Sequence, residues 1–139
     1  MRPVVAVMCT LLLAVVAAGC AQAGSSGDSS THFKGQQHDV AATVEDLQSA
    51  ASKHDEGQVC SQLLAKQLVD RLDAMPGGCQ AEVKAALKDT DTTDLTVEAV
   101  TINGGDATAR VKTENGSKDK TTTLQLAKEA GRWKVSSFG

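Results

Sequence analysis

The hydrophobic pattern of the chain changes its period once, at about Asp94, and this change constrains the fold more than any other feature. Before Asp94, apolar residues recur three or four positions apart, as Val40, Val44 and Leu47 do, which predicts amphipathic helices. After Asp94, apolar and polar residues alternate, which predicts half-buried antiparallel strands. A run of helices followed by a run of strands is typical of the α+β class.

Three helices are predicted ahead of the strands. The first runs from behind Asp39, a residue type favoured at the N-cap, to about Lys53. The second carries apolar residues at helical spacing over 59–75, and Pro76-Gly77-Gly78 ends it. The third begins at Cys79.

The strands are predicted to form a four-stranded antiparallel meander, because a turn sequence separates each strand from the next. The turns are Asn103-Gly104-Gly105, Asn115-Gly116 and the region of Gly131. Asn115-Gly116 is favoured in two-residue type I′ hairpins. With that turn, we expect Ala107 to lie opposite Leu124 and Ala109 opposite Thr122.

The alternation of apolar and polar residues changes its parity within the first strand. Leu95 and Val97 occupy odd positions, whereas Val100 and Ile102 occupy even ones. A β-bulge near residues 98–99 would put both pairs on the core face and bend the strand. We therefore expect three helices packed on a curved four-stranded sheet.

The N-terminal residues predict export. Arg2 precedes an apolar run over 4–18, which is typical of a secretory signal and short for a membrane span of roughly 20 residues. The ending Ala17-Ala18-Gly19-Cys20 resembles the bacterial lipobox, in which cleavage occurs before a Cys that carries a diacylglyceryl group. We therefore expect residues 1–19 to be a signal peptide and Cys20 to be lipidated, which would place the protein on the extracytoplasmic face of the cell membrane.

Two alternatives for the N-terminus remain open. Ala17 stands where lipoboxes usually have Leu, and Ala21-Gln22-Ala23 is itself an A-x-A cleavage site. Cleavage there would release a soluble secreted protein that begins at Gly24. An uncut signal anchor is the other alternative, and the short apolar run argues against it.

A tether and one domain are predicted to follow the signal. Residues 20–38 begin with the lipidated Cys and are then rich in Gly, Ser and Gln without apolar periodicity, a composition that does not bury enough surface to fold. Residues 39–139 have the size of one small domain.

The Cys residues predict one disulfide. Cys9 is removed with the signal and Cys20 would be lipidated, so Cys60 and Cys79 remain to pair in the oxidising compartment that export implies. A redox or metal site is the functional alternative, but the spacing fits neither C-x-x-C nor a zinc pattern. A disulfide across this loop would stabilise the domain by about 3 kcal/mol.

Several segments together resemble small exported lipoproteins of the nuclear transport factor 2-like (cystatin-like) superfamily found in actinobacteria. These are the helix of 59–64, the restart at Gly78-Cys79, and the closing strands at 124–126 and 131–135, within a likeness that spans about Asp39 to Phe138. The resemblance implies a sheet that curls around the helices into a cone. Some members of the superfamily use this cone as an isomerase, dehydratase or cyclase pocket.

The side chains predicted to line such a pocket do not support catalysis. They are Trp133, Val111, Leu124 and Leu126. The ketosteroid-isomerase-like members use an inward carboxylate together with Tyr or protonated Asp donors, and this chain has no Tyr. We therefore expect a protein that is not an enzyme, without a catalytic residue, metal or cofactor.

Charge gives a candidate contact surface. Residues 39–94 hold 5 basic and 11 acidic side chains, whereas residues 95–139 hold 7 basic and 5 acidic ones. The outward positions of the strands carry Arg110, Lys112, Arg132 and Lys134. They could meet anionic headgroups, another anionic envelope component or a protein partner, or they could be the ordinary solvated side of a sheet.

Two function classes follow from these observations. The first is a membrane-anchored, non-catalytic binding or interaction domain. The alternative is a small-molecule enzyme or carrier that uses the cone. Nucleic acid is excluded as a partner because the chain is net acidic, at −3, and only 2% aromatic.

Overall fold

The elements follow the predicted order, helices first and strands second. The structure is a computed structural model that describes residues 29–88, 94–115 and 118–139. Its helical part consists of the 3-10 turn Ser29–His32, α1 (Gln36–Ser52), α2 (Glu56–Gln58), the π-helical turn Val59–Leu63, α3 (Lys66–Asp73) and α4 (Gly78–Lys88). Its strands are β1 (Asp94–Asn103), β2 (Asp106–Asn115), β3 (Lys118–Glu129) and β4 (Arg132–Phe138). The predicted α+β class is confirmed.

The strands form an antiparallel sheet in the order β1-β2-β3-β4, as expected for a meander. The ladder of β1 and β2 shifts between Val97 and Ala99, which confirms the predicted bulge. A second shift lies between Gln125 and Leu126, opposite β4. Each bulge adds local twist to an edge strand, so the sheet curves. It does not close into a barrel, because β1 and β4 do not pair.

The predicted register of the central hairpin was wrong by two residues. Ala107 pairs with Leu126, and Ala109 pairs with Leu124. The ladder extends to Asn115, so Asn115 belongs to β2 rather than to the turn. Because a shift of two residues preserves the side-chain alternation, the same residues still face the core.

The second predicted helix is divided. It begins as α2 and the π-helical turn, but Leu64 and Ala65 are extended, and α3 follows. Leu64 forms a parallel bridge with Val135, and the backbone N of Ala65 donates to the Val135 carbonyl at 2.8 Å. Hydrogen bonding with the edge strand β4 thus replaces helical hydrogen bonds at these residues. Leu64 is buried all the same, as it would be in a continuous helix.

Helix α1 is the centre of the fold. It buries one stripe of side chains at helical spacing, namely Val40, Ala41, Val44, Leu47 and Ala50. Its polar side chains reach both edge strands. Gln37 Nε2 donates to the Val100 carbonyl at 2.9 Å. Thr43 Oγ1, which donates to the Asp39 carbonyl at 2.9 Å, lies 3.5 Å from the Trp133 carbonyl. Because β1 and β4 are the two ends of the sheet, the sheet must curl around α1 to meet it on both sides.

Helical structure is present before residue 39, where the domain was predicted to begin. Helix α1 begins at Gln36, and Ser29–His32, assigned to the tether, form a 3-10 turn with Ser29 and Ser30 buried. The predicted signal peptide and Cys20 lie outside the described residues. Within the described part of the chain, none of the helices is long and apolar enough to cross a bilayer.

Candidate functional site

The predicted basic residues lie on the convex side of the sheet, away from α1, which we call the outer face. Arg110 and Lys112 lie on β2, opposite Thr123 and Thr121 of β3. Arg132 and Lys134 lie on β4, opposite Glu129 and Ala127. The structure therefore brings the four residues to one face but in two separate pairs, with the threonines of β3 between them.

Three of the four basic side chains form ion pairs on the outer face. Arg110 Nε lies 3.1 Å from Glu98 Oε2. Lys112 Nζ lies 2.9 Å from Glu114 Oε1 and 2.8 Å from Asp119 Oδ2. Lys134 Nζ lies 4.0 Å from Glu129 Oε2. The face therefore presents neighbouring charges of both signs rather than a positive patch.

Lys112 is the most strongly coupled of these cations. Hydrogen bonds from its ammonium to Asp119 and then Glu114 raise the pKa of Lys112 above its ordinary value. The group is solvent-accessible, so these bonds position the side chain more than they stabilise the fold. Arg132, in contrast, is exposed and makes no ion pair with any described residue.

The carboxylates of this face were missed by the sequence reasoning, which singled out only the basic residues. Glu98 follows Val97 at the bulge, and Glu114 and Asp119 are direct cross-strand partners. Outward parity alone would have placed these carboxylates on the same face as the cations. Glu129 has a second contact, because its Oε1 accepts a hydrogen bond from the backbone N of Lys66 at 2.9 Å and so caps α3.

The predicted pocket-lining residues lie on the inner face of the sheet, against α1. Val111, Leu124, Leu126 and Trp133 are at most 6% exposed and belong to one core cluster with the buried stripe of α1. The Nε1 atom of Trp133 is buried and has no hydrogen-bond partner among the described residues. Lys128 lies across from Trp133 on β3, with its Nζ 5.4 Å from the ring centroid.

Both edges of the sheet are bound by other parts of the chain. On β1, Ser29 Oγ accepts a hydrogen bond from the backbone N of Val97 at 3.1 Å, and Gln37 reaches Val100 as described above. On β4, the Val135 carbonyl accepts a hydrogen bond from the backbone N of Ala65. The Ser136 carbonyl accepts one from Arg71 Nη2 at 3.1 Å. These backbone groups are not available to an added strand.

The disulfide partners are close in space. The Sγ atoms of Cys60 and Cys79 lie 2.05 Å apart, which is a disulfide bond that joins the π-helical turn to the start of α4. Within residues 29–88, 94–115 and 118–139, no group of three or more His, Cys, Asp or Glu side chains is arranged to hold a metal ion. His54, at the end of α1, is exposed.

Comparison with known proteins identifies the fold. No family model and no curated protein matches the chain. An NTF2-like protein of unknown function from Shewanella baltica OS155 matches with 20% identity and a TM-score of 0.53, over 74% of this chain and 90% of that one. A similar protein of unknown function from Silicibacter pomeroyi DSS-3 matches with 16% identity and a TM-score of 0.51, over 76% and 96%.

A third solved structure is a SEC-C motif-containing protein from Rhodopseudomonas palustris. It matches with 17% identity and a TM-score of 0.54, over 70% of this chain and 75% of that one. Identities this low show the fold alone. The chain therefore has the nuclear transport factor 2-like (NTF2-like) α+β fold, with helices packed in the concavity of a curved antiparallel sheet.

Proposed function

We propose that this protein is an exported lipoprotein, of the kind that its sequence resembles in actinobacteria, and that it binds a partner without catalysing a reaction. Cys20 would anchor it to the extracytoplasmic face of the cell membrane. The observation that carries the binding role is the exposure of side chains from all four strands on the outer face, the side of the sheet opposite α1. Thr101, Thr108, Thr123, Gln125 and Arg132 are exposed there.

The other surfaces of the sheet are less suited to a partner. The inner face is packed against α1, and backbone groups on both edges already have intramolecular hydrogen bonds. None of the four inward residues predicted to line a pocket has a group that titrates near neutral pH, so they supply no acid or base. This supports a binding role over an enzymatic one.

The charges of the outer face indicate the chemistry of the partner. Arg132 is exposed without an ion pair in the described chain, whereas Arg110, Lys112 and Lys134 have carboxylates beside them. A polyanion would have to approach those carboxylates, at an electrostatic cost. A protein surface with charges of both signs can match the pattern, so we favour a protein partner over an anionic lipid or polymer.

Crosslinking in living cells tests the proposal. A photo-reactive residue placed at Gln125 on the outer face should give a discrete crosslinked protein, while one placed at Ala85, exposed on α4, should not. Reversal of Arg110, Lys112, Arg132 and Lys134 to Glu should abolish the product. Reversal of three exposed lysines of the helical side, Lys53, Lys84 and Lys88, is the matched control and should leave the product unchanged.

A second measurement examines the anionic alternative. Flotation of the unlipidated domain with phosphatidylglycerol vesicles, with and without added salt, would detect binding through the basic residues. Vesicle binding that is lost in the fourfold reversal would replace the protein partner by a lipid surface. If the cells give no crosslinked protein and the vesicles do not bind the domain, a contact role for the outer face is refuted.

The alternative function, a small-molecule carrier or enzyme, is favoured by the unpaired Nε1 of Trp133. A buried N–H without an acceptor costs about 1–3 kcal/mol, so a ligand oxygen that reached it would be stabilised. Trp133 is the only Trp in the chain, so its fluorescence and indole N–H resonance report on this site alone. Titration with apolar carbonyl compounds should shift both signals, and Trp133→Phe, which lacks both signals and is followed by calorimetry, should bind more weakly. Unchanged signals would remove this alternative.

A further inference from the structure

The first described residues are bound to the domain, although their sequence resembles a tether. We call residues 29–33 the strap. Ser29 and Ser30 are only 5% and 6% exposed, and Phe33 packs against the hydrophobic core. The strap then turns into α1 at Gly35, whose φ of 57° lies in the region that favours glycine. A Ser-rich segment is not buried in this way unless specific partners hold it.

Glu45 of α1 holds the start of the strap. Its Oε1 accepts hydrogen bonds from the backbone N of Ser30 at 2.7 Å and from Ser29 Oγ at 3.2 Å. Ser29 Oγ in turn accepts a hydrogen bond from the backbone N of Val97, beside the bulge of β1. One buried hydroxyl therefore joins the strap to both α1 and β1. The chain that precedes Ser29 is therefore joined to the domain at this point.

The point of exit is closer to one end of the sheet than to the other. Val97 is level with Val111 of β2 and Thr122 of β3, on the side of the hairpin that joins these two strands. The start of α1 lies farther from this hairpin. Gln37 contacts the Val100 carbonyl, which is level with Leu124 of β3, and Gln36 Oε1 accepts a hydrogen bond from Lys128 Nζ at 3.2 Å. The start of α1 is therefore two to six residues along β3 from the point of exit, about 7–20 Å.

We infer that the strap determines which end of the domain faces the membrane. With the strap bound, the anchored chain joins the domain beside Val97, so the β2–β3 hairpin end lies towards the bilayer. With the strap released, the chain would join at Gln36, and the β3–β4 turn end would lie towards the bilayer instead. This inference rests on the proposed anchor at Cys20.

The length of chain between Cys20 and the domain indicates that the strap has a strong effect on the orientation of the domain. Nine residue steps separate Cys20 from Ser29, and a chain of this length spans at most about 30 Å. Sixteen steps separate Cys20 from Gln36, which allows about 55 Å. The bound strap therefore shortens the tether by about 25 Å, more than the distance between the two points of attachment, so it restricts both height and orientation.

The test uses the chain from Cys20 onwards, attached to vesicles by chemistry rather than by the cell. With Cys60 and Cys79 joined, Cys20 is the one free thiol of that chain and can be coupled to maleimide-headgroup lipids. Nitroxide-headgroup lipids then broaden amide resonances near the bilayer. We expect stronger broadening for Leu95 and Thr96, near the β2–β3 end, than for Ala130 and Gly131, in the β3–β4 turn.

Variants of Glu45 make the inference falsifiable. Glu45→Ala removes the acceptor that holds the strap, and the difference between the two ends should be lost or reversed. Glu45→Gln keeps an oxygen acceptor and should behave like the natural chain, as should Asp46→Ala, a substitution at the neighbouring exposed position. If Glu45→Ala does not fold, Ser29→Ala serves instead: it removes the link to Val97 and should reduce the difference in broadening between the two ends.

Two outcomes would overturn the inference. One is equal broadening at both ends of the natural chain. The other is an unchanged pattern in Glu45→Ala when hydrogen exchange shows that its strap amides have become unprotected. Failure of the anchor itself would be seen differently: mass spectrometry would find Gly24 as the N-terminal residue of the secreted protein, while the vesicle measurement would be unaffected.

Discussion

Helices α1 and α4 are attached to this domain in opposite ways. Helix α1 buries five side chains along one stripe and contacts both ends of the sheet. Helix α4 buries one, Cys79, and its Val83 is half-buried against the core. The disulfide to Cys60 and a hydrogen bond from the Cys79 backbone N to Asp73 Oδ1 provide the remaining attachment. Hydrophobic burial thus fixes α1, whereas covalent and polar bonds at one end fix α4.

This difference predicts where the domain is sensitive to substitution. Leu47→Ala in α1 should lower the free energy of unfolding by about 2–5 kcal/mol, because it leaves a cavity between α1 and the sheet. Urea unfolding measures the change. Asp46→Ala, at the exposed position beside it, should change stability by less than about 0.5 kcal/mol. Equal effects of the two substitutions would contradict the packing of α1.

Loss of the disulfide should sharpen the contrast between the helices. The double substitution of Cys60 and Cys79 to Ser should cost about 3 kcal/mol, since it restores loop entropy to the unfolded chain. Amide hydrogen exchange should accelerate in α4 far more than in α1. A thiol titration of unfolded, unreduced protein provides the control, and two free thiols would refute the bond itself.

The cap of α4 should have the smallest effect. Asp73→Ala removes the acceptor for the Cys79 backbone N and should cost about 1 kcal/mol. Asp73→Asn keeps a side-chain oxygen and should retain most of the stability. Asp70→Ala is the matched control on α3: its ion pair with Lys66 is exposed, so the loss of stability should be smaller than that of Asp73→Ala. A larger loss from Asp70 than from Asp73 would contradict the capping role.

The sequence predicted those parts of the fold in which local pattern and burial agree. The odd and even parities of Val97 and Val100 predicted the bulge, because both residues had to reach the core. The two apolar periods predicted the order of helices and strands. The predictions of secondary structure failed where two different backbone structures would give the same hydrophobic pattern. Leu64 is buried whether it continues a helix or pairs with Val135, so the hydrophobic pattern could not show the interruption.

The sequence likewise predicted one part of the candidate site and missed another. Outward parity predicted the face on which Arg110, Lys112, Arg132 and Lys134 lie. It did not predict their ion pairs, because the sequence reasoning considered only the basic residues of that face and not the carboxylates that share its outward parity. The strap could not be predicted from composition. Ser29 and Ser30 are indistinguishable in sequence from the serines of a tether, and the hydrogen bonds that bind them to the domain come from Glu45 and Val97, which are distant along the chain.

The bound edges of the sheet bear on how the protein behaves when many copies share a small area. An exposed edge strand can pair with the edge of a neighbouring molecule, and crowding on a surface raises the chance of such encounters. In this domain, side chains and backbone of the helical part already bind carbonyl and amide groups of β1 and β4. Dense layers of the protein should therefore remain assemblies of separate molecules, resistant to growth of a continuous sheet.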